Sequence, residues 1–335
     1  GAILQTATGI SLIPAALIAS IVTLAYTWSG GILAVTLTDA VQYVIIVIGV
    51  TLCAYLAIDH LGGFDAMMSI LYSNPRFETN MKPLANWSLV QFLGLFFSFL
   101  LGEFCAPYYI QRYASTKSAK DSKNGLLIFG VHWIFFMATT AAIGLASMAI
   151  QPDVKPDLAF TNLIRDILPP GITGLVFGAL LAAVMSTGAA MINTSAVIYT
   201  RDIYNKFINT AATQAQLLRQ SRLSTLVVGG ISIGVAIIFQ DVFGLMIYMF
   251  KLWPSAILPP LMCGLLWGKI SPYAGAPAVI AGGLSFFLWS DKVLGEPFGI
   301  PANFIGIGMN CLVLFFVHQK MKGHKPEGPF LPDLN

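Results

Sequence analysis

The sequence predicts an all-α integral membrane protein: a bundle of about nine spanning helices over residues 1–318, followed by a cytoplasmic tail over 319–335. Three observations lead there. Of the 335 residues, 56% are hydrophobic and only 10% charged, against roughly 25% charged in ordinary soluble domains. Mean hydropathy is +0.77. The apolar residues come in continuous runs of about 20, the length at which a helix crosses a bilayer, whereas a closed barrel would show short alternating segments. The same composition excludes a soluble globular protein and a disordered chain. A net charge of +3 leaves no polybasic surface for nucleic acid.

Taken in order, the spans fall at 9–28, 31–58, 88–110, 125–149, 170–200, 219–239, 243–267, 273–290 and 301–318. Turn chemistry separates them. Ser29-Gly30-Gly31 divides the first two, Asn74-Pro75 lies ahead of the third, and Pro152 follows the fourth. Pro169-Pro170 opens the fifth, Asp241 parts the sixth from the seventh, Pro272 opens the eighth, and Gly295-Glu296-Pro297 precedes the ninth. Orientation follows from basic residues, which favour the cytoplasmic side. With the Ser29–Gly30 turn inside, twelve of the 18 Lys and Arg fall inside, between Arg112 and Lys325. Five lie outside (Arg76, Lys82, Lys155, Arg165 and Lys292), and Lys251 lies within a span.

The cysteines, Cys53, Cys105, Cys263 and Cys311, sit far apart inside apolar runs and read as small buried hydrophobes. The first residues carry no basic n-region and are not a signal peptide. Three charged residues do stand out, because charge inside a bilayer costs about 3 kcal/mol per residue on insertion scales. Asp39 lies one or two turns into the second span. Glu103 sits deep in the third, within SFLLGEFCAPYY, and Lys251 in the seventh, within LMIYMFKLWPSAILPP. Two readings stand for the latter pair: an ion pair that fixes helix packing, or a solute pathway facing a wet cavity.

The fifth span is the most informative. Ser186, Asn193 and Thr200 recur every seven residues, as do Thr187 and Thr194, which draws a polar seam down one side of the helix. Gly188, Ala189 and Ala190 allow another backbone to approach closely. Ala183, Ser186 and Thr187 are related as i, i+3 and i+4, so one carbonyl and two hydroxyls converge. Neutral oxygens suit a monovalent hard cation, and three are an incomplete set, to be filled from another segment. Glycine and proline interrupt the third span (Gly94, Gly102, Pro107) and the seventh (Pro254, Pro259, Pro260). Transporters build mid-membrane sites from such broken helices, although prolines also simply kink helices.

Three stretches carry a resemblance to the sodium:solute symporter family, relatives of the sodium/proline, sodium/pantothenate and sodium/glucose carriers. They are YTWSGGILAVTLTDAVQ (26–42), GEFCAPYYIQRYASTKSAKDSKNG (102–125) and ALLAAVMSTGAAMINTSAVIYTRDIY (179–204), the last with the family's T-x-D-[IL]-Y ending. The resemblance implies a leucine-transporter-like core of two inverted five-helix repeats. This chain then corresponds to the C-terminal two-thirds, with the N-terminal core helices missing and the unwound first core helix among them. It also implies a sodium site formed by Ala183 (carbonyl), Ser186 and Thr187, with Asp39 as an acid implicated in sodium handling. Phe99, Glu103 and Pro107 fall where relatives place solute-facing residues. Glu103 stands where the proline and sugar carriers have an aromatic, and the sugar carriers' Asn and Tyr–Trp pattern is missing. A carboxylate there favours an amine-bearing or cationic solute or a bound proton, unless Lys251 neutralises it.

The function expected is sodium-coupled symport of a small organic solute by a multi-pass protein of the plasma (inner) membrane. Sodium is the only ion required, the bilayer and the solute are the partners, and neither nucleic acid nor an obligatory protein partner is called for. The alternatives are a symporter-like sensor and a proton-coupled carrier of the same fold. No HExxH, no GxSxG with partners and no pair of catalytic acids marks an enzyme.

Overall fold

The computed structural model describes residues 1–78, 88–238, 242–267 and 270–322. Lys82, Asp241, Lys269, Lys325 and residues 323–335 of the expected tail lie outside them. In chain order the helices are α1 (Ala2–Thr8), α2 (Leu12–His60), α3 (Phe64–Ser73), α4 (Pro75–Glu78), α5 (Leu89–Cys105), α6 (Pro107–Ala114) and α7 (Ala119–Ile150). They continue with α8 (Pro156–Ile167), α9 (Ile172–Ile198), α10 (Gln214–Ile238), α11 (Val242–Trp267), α12 (Gly275–Trp289) and α13 (Ala302–Lys320). A π-helix, Tyr199–Ile208, extends α9 without a break.

Among the described residues nine segments are long and apolar enough to cross a membrane: Leu12–Gly31, Val35–His60, Leu89–Ala114, Ala119–Ile150, Ile172–Ile208, Gln214–Ile238, Phe243–Trp267, Pro272–Trp289 and Ala302–Lys320. Each overlaps a span expected from the sequence, with bounds that differ by at most eight residues, the largest difference being the extension of the fifth to Ile208. The first two are the halves of α2, parted at Gly31, whose φ of 56° and ψ of −150° are open to glycine and strained for other residues. The outward faces suit lipid: on α7, Ile128, Val131 and Ile134 are 71%, 73% and 74% exposed, a contiguous apolar surface that water would not tolerate.

The helices form two compact units: Gly1–Lys82 with Ser115–Ile238, and Pro83–Ala114 with Phe239–Asn335. In the first, α2 lies along α9. A Cβ on Gly49 would come within 2.7 Å of the Ala179 methyl, so this glycine sets how closely the two backbones approach. Val50, Cys53 and Ala57 of α2 then share a buried cluster with Val176 and Phe177 of α9 and Ile143 and Ala146 of α7. The short helices α3 and α8 close this cluster with Met67, Leu71, Leu163 and Ile164. Ser147 donates to the Ala159 carbonyl (3.2 Å) and Gln151 to Asp166 (2.9 Å), which tie α7 to α8.

In the second unit α11 packs against α5, α12 and α13. Its three prolines each lack an N–H and so free the carbonyl four residues earlier. Pro254 frees that of Phe250, which a Cβ on Gly102 of α5 would meet at 2.8 Å. Pro259 and Pro260 free those of Ser255 and Ala256, and the Asn310 side-chain amide of α13 donates to both, at 3.0 and 2.7 Å. Gly282 of α12 and Gly306 of α13 crowd the same spot, since a Cβ on either would strike Ser255. Three backbones thus meet around Ser255, as small residues in membrane helices permit.

Candidate functional site

The oxygen corner on α9 is formed as its spacing predicts. Ser186 Oγ lies 2.9 Å and Thr187 Oγ1 3.1 Å from the Ala183 carbonyl oxygen, to which both hydroxyls donate. Ser186 is half-buried and Thr187 exposed, so the corner opens on one side. A cation lodged among these oxygens would take their lone pairs and turn the hydroxyl hydrogens outward. Each turn gives up one neutral hydrogen bond of about 1 kcal/mol, a small cost that keeps capture and release close in free energy. Further along the seam Asn193, Thr194 and Thr200 are buried, and Ala189 and Ala190 bring α9 against its neighbours, as anticipated. Gly188 faces Thr23 of α2, 3.8 Å from the position a Cβ would take.

Asp39 lies on one side of the Gly31 break in α2, and the link to this end of α9 comes from residues the sequence reading did not single out. The Tyr26 hydroxyl, on the other side of the Gly31 break, donates to the Met185 carbonyl at 2.9 Å, one residue from Ser186. Gln42 hydrogen-bonds the same phenol, and Asp39 lies within its electrostatic reach. Gln42 Oε1 is buried with no hydrogen-bond partner. The break in α2 is what folds Tyr26, Asp39 and Gln42 together. Their sequence signal was the matched stretch 26–42 itself, which begins at Tyr26 and ends at Gln42.

Phe99, Glu103 and Pro107 belong to the second unit. Phe99 and Glu103 are spaced i and i+4, so they share one face of α5, and Pro107 lies just past its end. Pro107 breaks the helix: α5 ends at Cys105, Ala106 is extended (φ −65°, ψ 118°), and its N–H turns back to the Glu103 carbonyl at 3.2 Å. Glu103 is half-buried beside this break. The Tyr109 hydroxyl hydrogen-bonds its carboxylate, and Tyr108 and Tyr113 lie within its electrostatic reach. The Phe99 ring packs on Phe250 of α11 (centroids 5.0 Å apart), Phe250 on Trp253 (5.6 Å) and Trp253 on Tyr108 (6.3 Å).

The ion pair considered between Glu103 and Lys251 is not formed. Lys251 Nζ lies 3.2 Å from Glu296 Oε1, with both side chains about one-fifth exposed. Glu296 comes from the loop before α13, and its Oε1 also accepts the Ala302 N–H at 3.1 Å, at the start of that helix. This removes the ion pair with Lys251 as the explanation of Glu103. The buried asparagines of α13, Asn303 and Asn310, were also missed, although two amides seven residues apart in an apolar run were visible. Cys53 and Cys105 are buried as expected, while Cys311 is exposed.

The sequence model of the family described as "Sodium:solute symporter family" matches residues 1–282. The osmoregulated proline transporter OpuE of Bacillus subtilis (strain 168) is 28% identical over 286 residues, 82% of this chain and 56% of that protein. The sodium/proline symporter of Escherichia coli (strain K12) is 26% identical over 80% of this chain and 55% of its own length. Sodium/proline symporter 2 of Staphylococcus saprophyticus is 26% identical over 100% of this chain and 67% of its own. The chain thus spans a little over half the length of the first of these relatives. Among solved structures, one titled "Substrate-bound outward-open state of a Na+-coupled sialic acid symporter reveals a novel Na+-site" superimposes with a TM-score of 0.73. It is 20% identical in sequence, and the match covers 98% of this chain and 71% of that one. At that identity the likeness establishes the fold, an all-α membrane bundle of the leucine-transporter-like kind.

Proposed function

Since this chain belongs to the sodium:solute symporter family, we propose that it serves sodium-coupled secondary active symport of a small organic solute. The observation that carries this reading is the convergence of the Ala183 carbonyl with the Ser186 and Thr187 hydroxyls, 2.9 and 3.1 Å away, on the open side of α9. In this reading sodium binds these three oxygens, with Asp39 adding negative charge nearby. Neutral ligands suit an ion that must be released as readily as it is captured, and a hard cation needs oxygen rather than carboxylate as such. The solute binds beside Phe99, Glu103 and Pro107, where the broken helix supports a mid-membrane site. Coupling needs only that sodium and solute each prefer one conformational state over the other, with no covalent step.

The test is solute uptake by cells expressing the complete open reading frame, with sodium or potassium outside, over a panel of proline, pantothenate, a monocarboxylate, a sugar and a cationic amine. Uptake of one panel member should require sodium. Ser186→Ala combined with Thr187→Ala should raise the half-saturating sodium concentration about tenfold or more, as losing two ligand oxygens implies. Equal uptake in potassium, or an unchanged sodium dependence in the double variant, would overturn the reading.

A further inference from the structure

The turn between α11 and α12 is tied to the C-terminal end of α13 by a histidine. The Ser271 N–H donates to His318 Nδ1 at 3.1 Å, 47 residues away in the chain. Ser271 opens the 3-10 turn Pro272–Ala274 that leads into α12, and His318 lies in the last turn of α13. Beside them Ala274, Ala278 and Leu314 are buried together, with Cys263 of α11 and Val317 of α13 packed against them. The bond therefore closes a small core in which α11, α12 and α13 all take part. Lys320 and Lys322 mark this end of α13 as cytoplasmic.

This bond requires a neutral ring, because Nδ1 accepts only while it carries no proton. Once protonated, both ring nitrogens donate. The N–H of Ser271, a residue only 8% exposed, then loses its acceptor. The new Nδ1–H needs an acceptor in turn, and the Ser271 hydroxyl oxygen is buried with no hydrogen-bond partner. Exchanging amide for hydroxyl on one residue shifts the turn against α13, so the two protonation states hold it differently. The other titratable groups on the packed elements include no acid at this end. α12 carries none, the turn has Tyr273, and α11 has Cys263 here with Tyr248 and Lys251 towards its start. On α13 itself Cys311 lies two turns before the ring, and Lys320 and Lys322 follow it. α5 meets α13 at Pro301, the opposite end.

We propose that the Ser271–His318 contact is a pH-sensitive latch on the cytoplasmic side: neutral His318 holds the turn by its amide, and acidification of the cytoplasm releases that amide and loosens the C-terminal end of α11. Histidine changes charge between about pH 5 and 8. The amide bond is thus present at the upper end of that range and lost as pH falls. Because α11 packs against α5, which carries the candidate solute residues, the latch makes symport responsive to internal pH. That consequence, unlike the latch itself, rests on the proposed function.

Residue-resolved hydrogen exchange of the purified full-length protein tests the latch without relying on transport. It is measured near the two ends of the histidine range, at about pH 7.5 and about pH 5.5, each corrected for the intrinsic exchange rate. The Ser271 amide should lose protection about fivefold or more at the lower pH, as the loss of one hydrogen bond implies. His318→Asn, whose side-chain oxygen accepts without titrating, should stay protected at both. His318→Phe, which keeps a ring and removes the acceptor, should be unprotected at both. Equal protection of the wild-type protein at the two pH values, or the same loss in His318→Asn, overturns the latch. In proteoliposomes loaded at either pH, sodium-driven uptake should differ between the two in the wild-type protein and not in His318→Asn. No difference in the wild type, or one that survives in His318→Asn, overturns the regulatory role. Absence of sodium-driven uptake at both pH values overturns the symport reading instead, and the exchange result still decides the latch.

Discussion

Replacing Asn310 by leucine removes the one side chain that donates to both carbonyls released by Pro259 and Pro260. Each buried carbonyl left without a donor costs about 1–3 kcal/mol. The substitution also removes Asn310 Oδ1, itself buried with no hydrogen-bond partner, and that relief offsets roughly one of the two losses. Leucine fills nearly the same volume, so the cavity contribution is small. The net cost should be about 1–3 kcal/mol, above the ~0.6 kcal/mol average of a single side-chain hydrogen bond between membrane helices because two acceptors are stranded. Unfolding of the purified protein in mixed micelles by detergent titration measures it. The deciding comparison is a double-mutant cycle. In a Pro259→Ala, Pro260→Ala background the restored backbone N–H groups can satisfy Ser255 and Ala256 within the helix, and Asn310→Leu should then be close to neutral. The same loss in both backgrounds would refute the reasoning and assign Asn310 a packing role only.

Two further substitutions test the backbone geometry that positions the candidate site. Gly102→Ala would place a methyl 2.6 Å from the Phe250 ring and 2.8 Å from its carbonyl. Because part of that obstacle is backbone, it should cost about 1–3 kcal/mol and lower solute affinity before sodium affinity, as paired binding assays would show. Gly31→Ala should cost about 1–3 kcal/mol, since φ 56° with ψ −150° is strained for a residue with a Cβ. By disturbing the approach of Tyr26 to α9 it should raise the sodium concentration for half-maximal activity while leaving the solute KM nearly unchanged.

Much of the candidate site was legible because it is local. Ala183, Ser186 and Thr187 lie within five residues on one helix, so helical geometry alone brings their oxygens together. Phe99 and Glu103 share a face of α5 for the same reason, and the helix breaks just ahead of Pro107, where its chemistry requires. Short α3 and α8 were not legible: they lie between spans, and their apolar residues Met67, Leu71, Leu163 and Ile164 became meaningful only against the cluster they close. Lys251 was the sharpest reversal. Its sequence neighbours are apolar and its partner lies 45 residues away in a loop, so no periodicity could have named Glu296 over Glu103.

The sequence by itself determined the all-helical membrane class, the spans, the breaks at Gly31 and Pro107, and the oxygen corner on α9. Those features follow from bilayer thickness, from backbone dihedrals and from i, i+3 and i+4 geometry, all of which act over one helix. Tertiary structure alone decided which charge Lys251 neutralises, which amide satisfies the carbonyls freed in α11, and that the Tyr26 hydroxyl of α2 caps the Met185 carbonyl beside Ser186. Each of these is a choice among buried polar groups competing for partners. In a medium without water to satisfy the losers, that competition is settled by which backbones can approach, and so by glycines and prolines distant in the chain.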